Sequence, residues 1–342
     1  MRKIAVALVL ALLVGACGDT AEPNTTDATT AAPTSSAATT TATTEPPVTA
    51  APASTVTTEP PPITEGYPVT IAHGTGEVTL HARPEAIVSI SPTATEILFA
   101  LGAGNQVKAV DTQSNFPANA PITDLNAFEP NVESIAELEP DLVVMSFDPG
   151  DIESGLTALG IPVIVQFSAL SIADAYAQIQ QLGAASGHQG AAAELVGDIE
   201  ATIRELNDEL AGRDEPLSYY HELDNTFYSV TSATFIGELY AVVGLDNVAD
   251  PADSEGFGYP QLSPEFILEV DPDLIFLADT KCCGQDAATI AERPGWDQLS
   301  AVQNGTVFEL DDDVASRWGP RIVEFLQTIA AAIEEYEANR TE

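Results

Sequence analysis

Glu133 and Glu265, 132 positions apart, stand in matching settings. Asn131 and Ser263 lie two residues ahead of them. Each is a good N-cap, so both carboxylates fall in the first turn of a helix. There an acid complements the helix dipole for roughly 0.3–1 kcal/mol. A matched pair of carboxylates equally offers equivalent attachment points to the basic pockets of a two-fold partner. Cations are scarce: the chain has 11 Lys and Arg against 52 Asp and Glu. Lys281 follows the apolar run 274–277, and Arg317 and Arg321 follow the run 307–310. Positive charge there suits an anionic ligand, or else ion pairs with Asp311, Asp312 and Asp313. Phe147, Tyr220, Phe257, Tyr259 and Trp318 also follow apolar runs and offer stacking surfaces.

Signatures of catalysis are missing. There is no Gly-x-Ser-x-Gly elbow, no phosphate-binding loop and no His-Glu-x-x-His. A hydrolase using Ser91 or Ser232 is the reading from a different class, and it requires a His within hydrogen-bond reach of that Ser. The four His are scattered. His221 beside Glu222 is the one pair that suggests a metal, the alternative being a satisfied polar residue at a sheet edge. Cys282 and Cys283 allow a vicinal disulfide, free thiols or a bridge between two chains. Neighbouring cysteines cannot staple a fold, and no second Cys pair completes a zinc site. The expectation is no enzyme, no catalytic residue, no metal site and no cofactor of the protein's own.

The formal charge of −41 over 342 residues repels phosphate backbones, which argues against nucleic-acid partners and against a polybasic contact with anionic lipid. Residues 1–17 read as a targeting segment. Arg2 and Lys3 precede an apolar core at 4–14, and Val14-Gly15-Ala16 forms a small-residue cleavage site. Cys17 then falls where the lipobox of bacterial lipoproteins places its lipidated residue, the alternative being a plain secretory signal. The resulting expectation is the extracytoplasmic face of a membrane, reached by the lipid anchor alone. Residues 18–65 are Thr, Ala, Pro, Ser and Glu with no apolar periodicity, the composition of a disordered tether spanning on the order of 40 Å.

The elements that must position these residues begin at about Tyr67. Residues 69–80 alternate around Gly74 and Gly76 as a hairpin would. Short apolar runs at 87–91, 107–110, 142–146 and 161–167 alternate with helical stretches at 93–101 and 132–138. A long helix at 191–210 precedes further strands at 218–221, 227–230, 274–277 and 307–310. Such alternation predicts an α/β fold with parallel sheets. An internal repeat refines it: residues 132–143 align with 264–275, each reading as a short helix, an acidic-Pro-Asp stop and a buried strand. A weaker match aligns 96–102 with 238–244, and Asn105 with Asn247. Two Rossmann-like lobes (66–188 and 214–342, the second ending in a C-terminal helix) joined by a spine helix (189–213) are therefore expected, with a ligand cleft between them.

The segment Ile87-Val88-Ser89-Ile90-Ser91-Pro92-Thr93-Ala94-Thr95-Glu96-Ile97-Leu98-Phe99-Ala100-Leu101-Gly102 resembles the opening motif of substrate-binding proteins for ferric siderophores and cobalamin. Pro130-Asn131-Val132-Glu133-Ser134-Ile135, with the later Pro140-Asp141-Leu142, is similar to a second motif of that family. The resemblance runs from Tyr67 to the C-terminus. It implies a monomer that binds one small molecule between rigid lobes and docks on the two-fold permease of an ABC transporter, driven by a cytoplasmic ATPase. Glu133 and Glu265 occupy the motif positions that engage permease arginines. By the same resemblance the cleft is lined by Ser91, Pro92, Thr93, the loop from Gln113 to Phe116, Phe147, Tyr220, Tyr259, Lys281, Arg317 and Trp318, with Arg321 adding to the cationic wall. The ligand would carry Fe3+ or cobalt, with haem as a further alternative. The three cations lean the expectation towards an anionic ferric siderophore.

Overall fold

The Pro-Asp stop of the repeat explains itself in hydrogen bonds. Asp141 accepts the backbone N–H of Glu85 at 2.7 Å and of Ala86 at 2.9 Å, while Asp273 accepts the N–H of Ser218 at 2.9 Å and its hydroxyl at 2.8 Å. In both copies this Asp pins the entrance of the neighbouring strand, so each unit aligns the two central strands of its own sheet. The computed structural model describes residues 66–340, with 212 and 214 excepted. Cys17 and the tether at 18–65 lie outside the described residues.

The first lobe opens with the antiparallel hairpin β1 (Val69–His73) and β2 (Gly76–Leu80). Then follow β3 (Ile87–Ile90), α1 (Pro92–Ala100), β4 (Val107–Val110), α2 (Val132–Ala136), β5 (Leu142–Met145), α3 (Ile152–Ala158), β6 (Val163–Val165) and α4 (Ile172–Ser186). The helix α5 (Gln189–Leu210) leads to the second lobe: β7 (Leu217–Glu222), α6 (Phe235–Val242), β8 (Leu245–Asn247), α7 (Pro264–Val270), β9 (Leu274–Leu277), α8 (Thr280–Cys283), α9 (Ala287–Ala291), α10 (Ser300–Asn304), β10 (Val307–Glu309), α11 (Asp312–Ser316) and α12 (Ile322–Arg340).

The sheets are orders β4-β3-β5-β6 and β10-β9-β7-β8, the same arrangement read from opposite edges, and every pairing in them is parallel. Register repeats too: Ile87 faces Leu142, and Tyr219 faces Leu274, each shifted by the same 132 positions. The central strands β3, β5 and β9 are buried at every position, as strands covered on both faces must be.

Each sheet has its own outer core. Val88, Ile90, Ile135, Val143 and Leu156 fill one, and Tyr220, Ile267, Ile275, Ile290 and Trp296 fill the other. The inner faces share a single continuous core, running from Ile87 and Leu142 through α4 and α5 to Tyr219, Phe276 and α12. Both lobes thus belong to one compact unit. α5 buries Ala192, Val196, Ile199 and Leu206 towards that core and spans about 33 Å at 1.5 Å per residue.

Three expectations change. Residues 227–230 do not form a strand, because Phe227 adopts a left-handed φ of 69° that breaks an extended run; only an isolated bridge joins Tyr228 to Gln261. The predicted strand at 161–167 shrinks to Val163–Val165. His221 lies on β7, an inner strand of its sheet, rather than at an edge. No described helix is long and apolar enough to cross a membrane.

Candidate functional site

The carboxyl ends of the strands carry the loops available to a ligand in parallel sheets. Loops from the two sheets meet directly. Asn115, beyond β4, donates to Asp313 Oδ2 at 3.0 Å, and Arg317 donates to the Gln113 carbonyl and to Asn115 Oδ1, each at 3.0 Å. The Gln113–Phe116 loop of the first lobe and the segment after β10 of the second therefore form a junction.

Arg317 and Arg321 are committed at that junction. Both donate to Glu96 of α1, whose side chain is fully buried: Arg317 Nη1 at 2.7 Å, Arg321 Nη2 at 2.7 Å and Arg321 Nε at 3.0 Å. Arg317 also donates to Asp313 at 2.7 Å, and Lys281 Nζ reaches Asp311 at 2.6 Å and Asp313 at 2.8 Å. The expected cationic wall is thus a set of ion pairs, and the free positive charge that favoured an anionic ligand is absent from these three residues. Burying Arg317 at 7 % exposure demands this, because an unpaired buried charge costs several kcal/mol. Glu96 had been visible only as one letter of the repeat; its partners lie more than 220 positions away.

The remaining candidates divide by exposure. Ser91 is buried as the N-cap of α1, its Oγ accepting the Ala94 N–H at 3.3 Å, with Pro92 half-buried at the first helical position and Thr93 buried behind it. Tyr220 is a correction: its parity on β7 turns it into the outer core, where it packs edge-on against Trp296 and donates to Glu222 at 3.0 Å. Trp318 packs against the shared core and spends its Nε1–H on Gln178 of α4 at 2.7 Å. Gln113, Phe116 and Tyr259 are exposed, and Phe147 is half-buried. Phe116 lies under the Arg321 guanidinium at 4.4 Å, and Phe147 pairs with exposed Phe128 at 5.8 Å. Phe128 went unrecognised in the sequence because it sits in an irregular stretch with no periodicity.

Neither rival chemistry assembles. Ser232 donates to Asp250 at 2.7 Å, and no His is hydrogen-bonded to Ser91 or Ser232 among the described residues. His221 and Glu222 point to opposite faces of β7. His221 Nδ1 meets the Tyr240 hydroxyl at 2.8 Å, and burial depresses its pKa to about 3. Glu222 instead holds Arg293 through both oxygens, at 2.5 and 2.6 Å, and the guanidinium lies over the rings of Phe227 and Trp296. Asp279, just beyond β9, is fully buried, and both its carboxylate oxygens lack a hydrogen-bond donor. Burial and the neighbouring Glu222 raise its pKa to about 8, so Asp279 is largely protonated at neutral pH. No group of three or more potential metal ligands exists among the described residues.

Glu133 and Glu265 lie in the first turns of α2 and α7, capped by Asn131 Oδ1 and Ser263 Oγ at 2.8 and 3.1 Å. Both are exposed, and neither carboxylate has a partner among the described residues. They occupy the same position of each lobe, ahead of β5 and β9.

A depression lined by Leu310, Asp311, Val314, Arg321 and Phe325 encloses about 170 Å3, well under the roughly 300–1,000 Å3 of small-molecule sites.

Comparison with known proteins bears on the family and the fold. The family profile described as periplasmic binding protein matches residues 87–314. The ABC transporter substrate-binding lipoprotein YvrC of Bacillus subtilis is 31 % identical, over 79 % of this chain and 87 % of its own length. A cobalamin-binding protein of Halobacterium salinarum is 27 % identical, over 78 % of this chain and 74 % of its own. Among solved structures, the periplasmic vitamin B12 binding protein BtuF of Vibrio cholerae superposes with a TM-score of 0.62 at 25 % identity, covering 74 % of this chain and 98 % of its own. With one shared topology in both lobes and a family match across most of the folded region, the chain belongs to the periplasmic binding protein family.

Proposed function

We propose that this protein captures a corrinoid outside the cytoplasm and hands it to the permease of an ABC importer. The observation that carries the ligand choice is the pairing of Lys281, Arg317 and Arg321 with carboxylates. An anionic ferric siderophore would have to compete with Glu96, Asp311 and Asp313 for those cations. A corrinoid asks instead for stacking and shape, which Phe116, Phe128, Phe147 and Tyr259 offer. The cobalamin- and B12-binding relatives support the same choice. Cobalt arrives with the ligand; the protein supplies no metal site in this reading. Lipidation at Cys17 would hold the chain at the membrane, and it would act as a monomer.

Docking falls to Glu133 and Glu265, whose unpartnered carboxylates suit basic pockets on a two-fold permease with its ATPase. Tryptophan fluorescence titrated with cyanocobalamin, haem and a ferric hydroxamate decides the ligand. Trp318, close to the junction, supplies the responsive signal, and the expected result is quenching by the corrinoid. A response only to haem or only to the ferric complex would reject the corrinoid. Charge reversal at both glutamates (E133K/E265K) should abolish uptake in cells at unchanged ligand affinity. Lost affinity would place those residues in the binding surface instead.

A further inference from the structure

The disulfide between Cys282 and Cys283 closes a ring across one peptide bond. A loop that short restrains almost none of the unfolded chain, so global stability does not account for it. Its location is more telling. α8 follows the carboxyl end of β9, and the Asp312 carboxylate alone gathers the N–H groups of Thr280, Lys281 and Cys282, at 2.9 to 3.1 Å, with the Thr280 hydroxyl at 2.8 Å. Lys281 bridges Asp311 and Asp313, and Asp313 in turn receives Arg317 and, from the first lobe, Asn115. The disulfide thus sits at the outer end of a chain of contacts that crosses the lobe junction. Cys282 is exposed and Cys283 half-buried, so an external thiol has access.

We propose that Cys282–Cys283 is a redox-responsive positioning pair: closed, it holds Lys281 on the acidic triplet and keeps the junction fit for ligand; opened, it releases α8 and weakens capture. Its effect on capture rests on the corrinoid reading. Opening is thiol–disulfide exchange. A thiolate of an external dithiol attacks one protein sulfur, forming a mixed disulfide and freeing the other as a thiolate that takes up a proton. The reductant's second thiol then displaces the remaining protein sulfur. Two electrons and two protons pass to the protein, the Cys282–Cys283 bond breaks, and the dithiol leaves as its own disulfide.

Trypsin reports on α8 without any ligand, since it cuts after Lys281, directly beside the ring. The full chain is compared oxidised, reduced with dithiothreitol and desalted anaerobically, and as C282S/C283S, with cleavage followed by mass spectrometry and cyanocobalamin affinity by fluorescence. The reduced protein should be cut at Lys281 about fivefold faster, the expected scale of a local opening that leaves the fold intact. The double variant should match it and ignore dithiothreitol, and both should bind cyanocobalamin about fivefold more weakly, as the opened junction tightens only on binding. Equal cleavage of oxidised and reduced protein overturns the proposal. Faster cleavage with unchanged affinity overturns the coupling to capture. Should C282S/C283S misfold, the reduced wild type decides alone. If no form binds a corrinoid, the ligand reading fails, while the cleavage comparison still decides whether the pair controls α8.

Discussion

Glu96 and Glu238 hold the same place in the two lobes, on the helix between the first and second strand of each sheet, and both reach into the opposite lobe. Glu96 does so as a buried anion gripped by Arg317 and Arg321. Glu238 accepts the N–H of Ile172 at 2.7 Å, at the start of α4, where the dipole of a 15-residue helix favours an acid. The duplication thus kept the direction of the contact and changed its chemistry. A second pair diverges in the same way. Phe147 and Asp279 are two residues past the ends of β5 and β9 respectively; one is a stacking surface, the other a buried acid.

Removing the charge of Glu96 tests the first pair most severely. Glu96→Gln leaves two poorly exposed guanidiniums short of an anion and should cost about 3 kcal/mol, read as a fall in urea midpoint at unchanged slope. A loss below about 1 kcal/mol would show that Asp313 alone satisfies Arg317.

Asp279→Asn examines the second pair. Because the folded-state pKa of Asp279 is raised, the native protein holds a proton that the unfolded chain releases above pH ~4. Its contribution is therefore complete below that point and drains away as pH climbs towards about 8. Asn carries no charge at any pH, so the stability of the variant over wild type should grow steadily from pH 4 to pH 8 and vanish below pH 4. Parallel stability curves for the two proteins would rule out the raised pKa of Asp279. The smallest effect belongs to Glu238→Ala, about 1 kcal/mol from the lost helix-terminal acceptor, detectable as faster amide exchange in the first turn of α4.

The parts legible in the sequence are those set by short-range contacts. The repeat was readable because Asp141 and Asp273 act on strands of their own unit, and the caps of α2 and α7 lie within three residues of the amides they serve. What escaped depends on distance or parity. Glu96, which Arg317 and Arg321 share, is in the other lobe, so the sequence offers only Asp311, Asp312 and Asp313 as counter-charges. Whether Tyr220 or Tyr219 faces a given side of β7 is settled by which layer covers each face of the sheet. α4 is hard to read in the sequence because its Ala, Gln and Gly residues blur the apolar stripe, although Ser171 caps it by accepting the Asp174 N–H at 3.1 Å.

The shared inner core has a consequence for how the chain comes to be folded. Its final contributors, Ile322, Phe325, Leu326, Ile329 and Ile333, all lie on α12, the last described helix, yet they complete a core that begins at Tyr67. A polypeptide made from its N-terminus therefore leaves the part of this core beside α5 and α6 uncovered until α12 is available. The second lobe is thus the last part to be completed, and the state before α12 docks is the one that chaperones would hold and proteases would find.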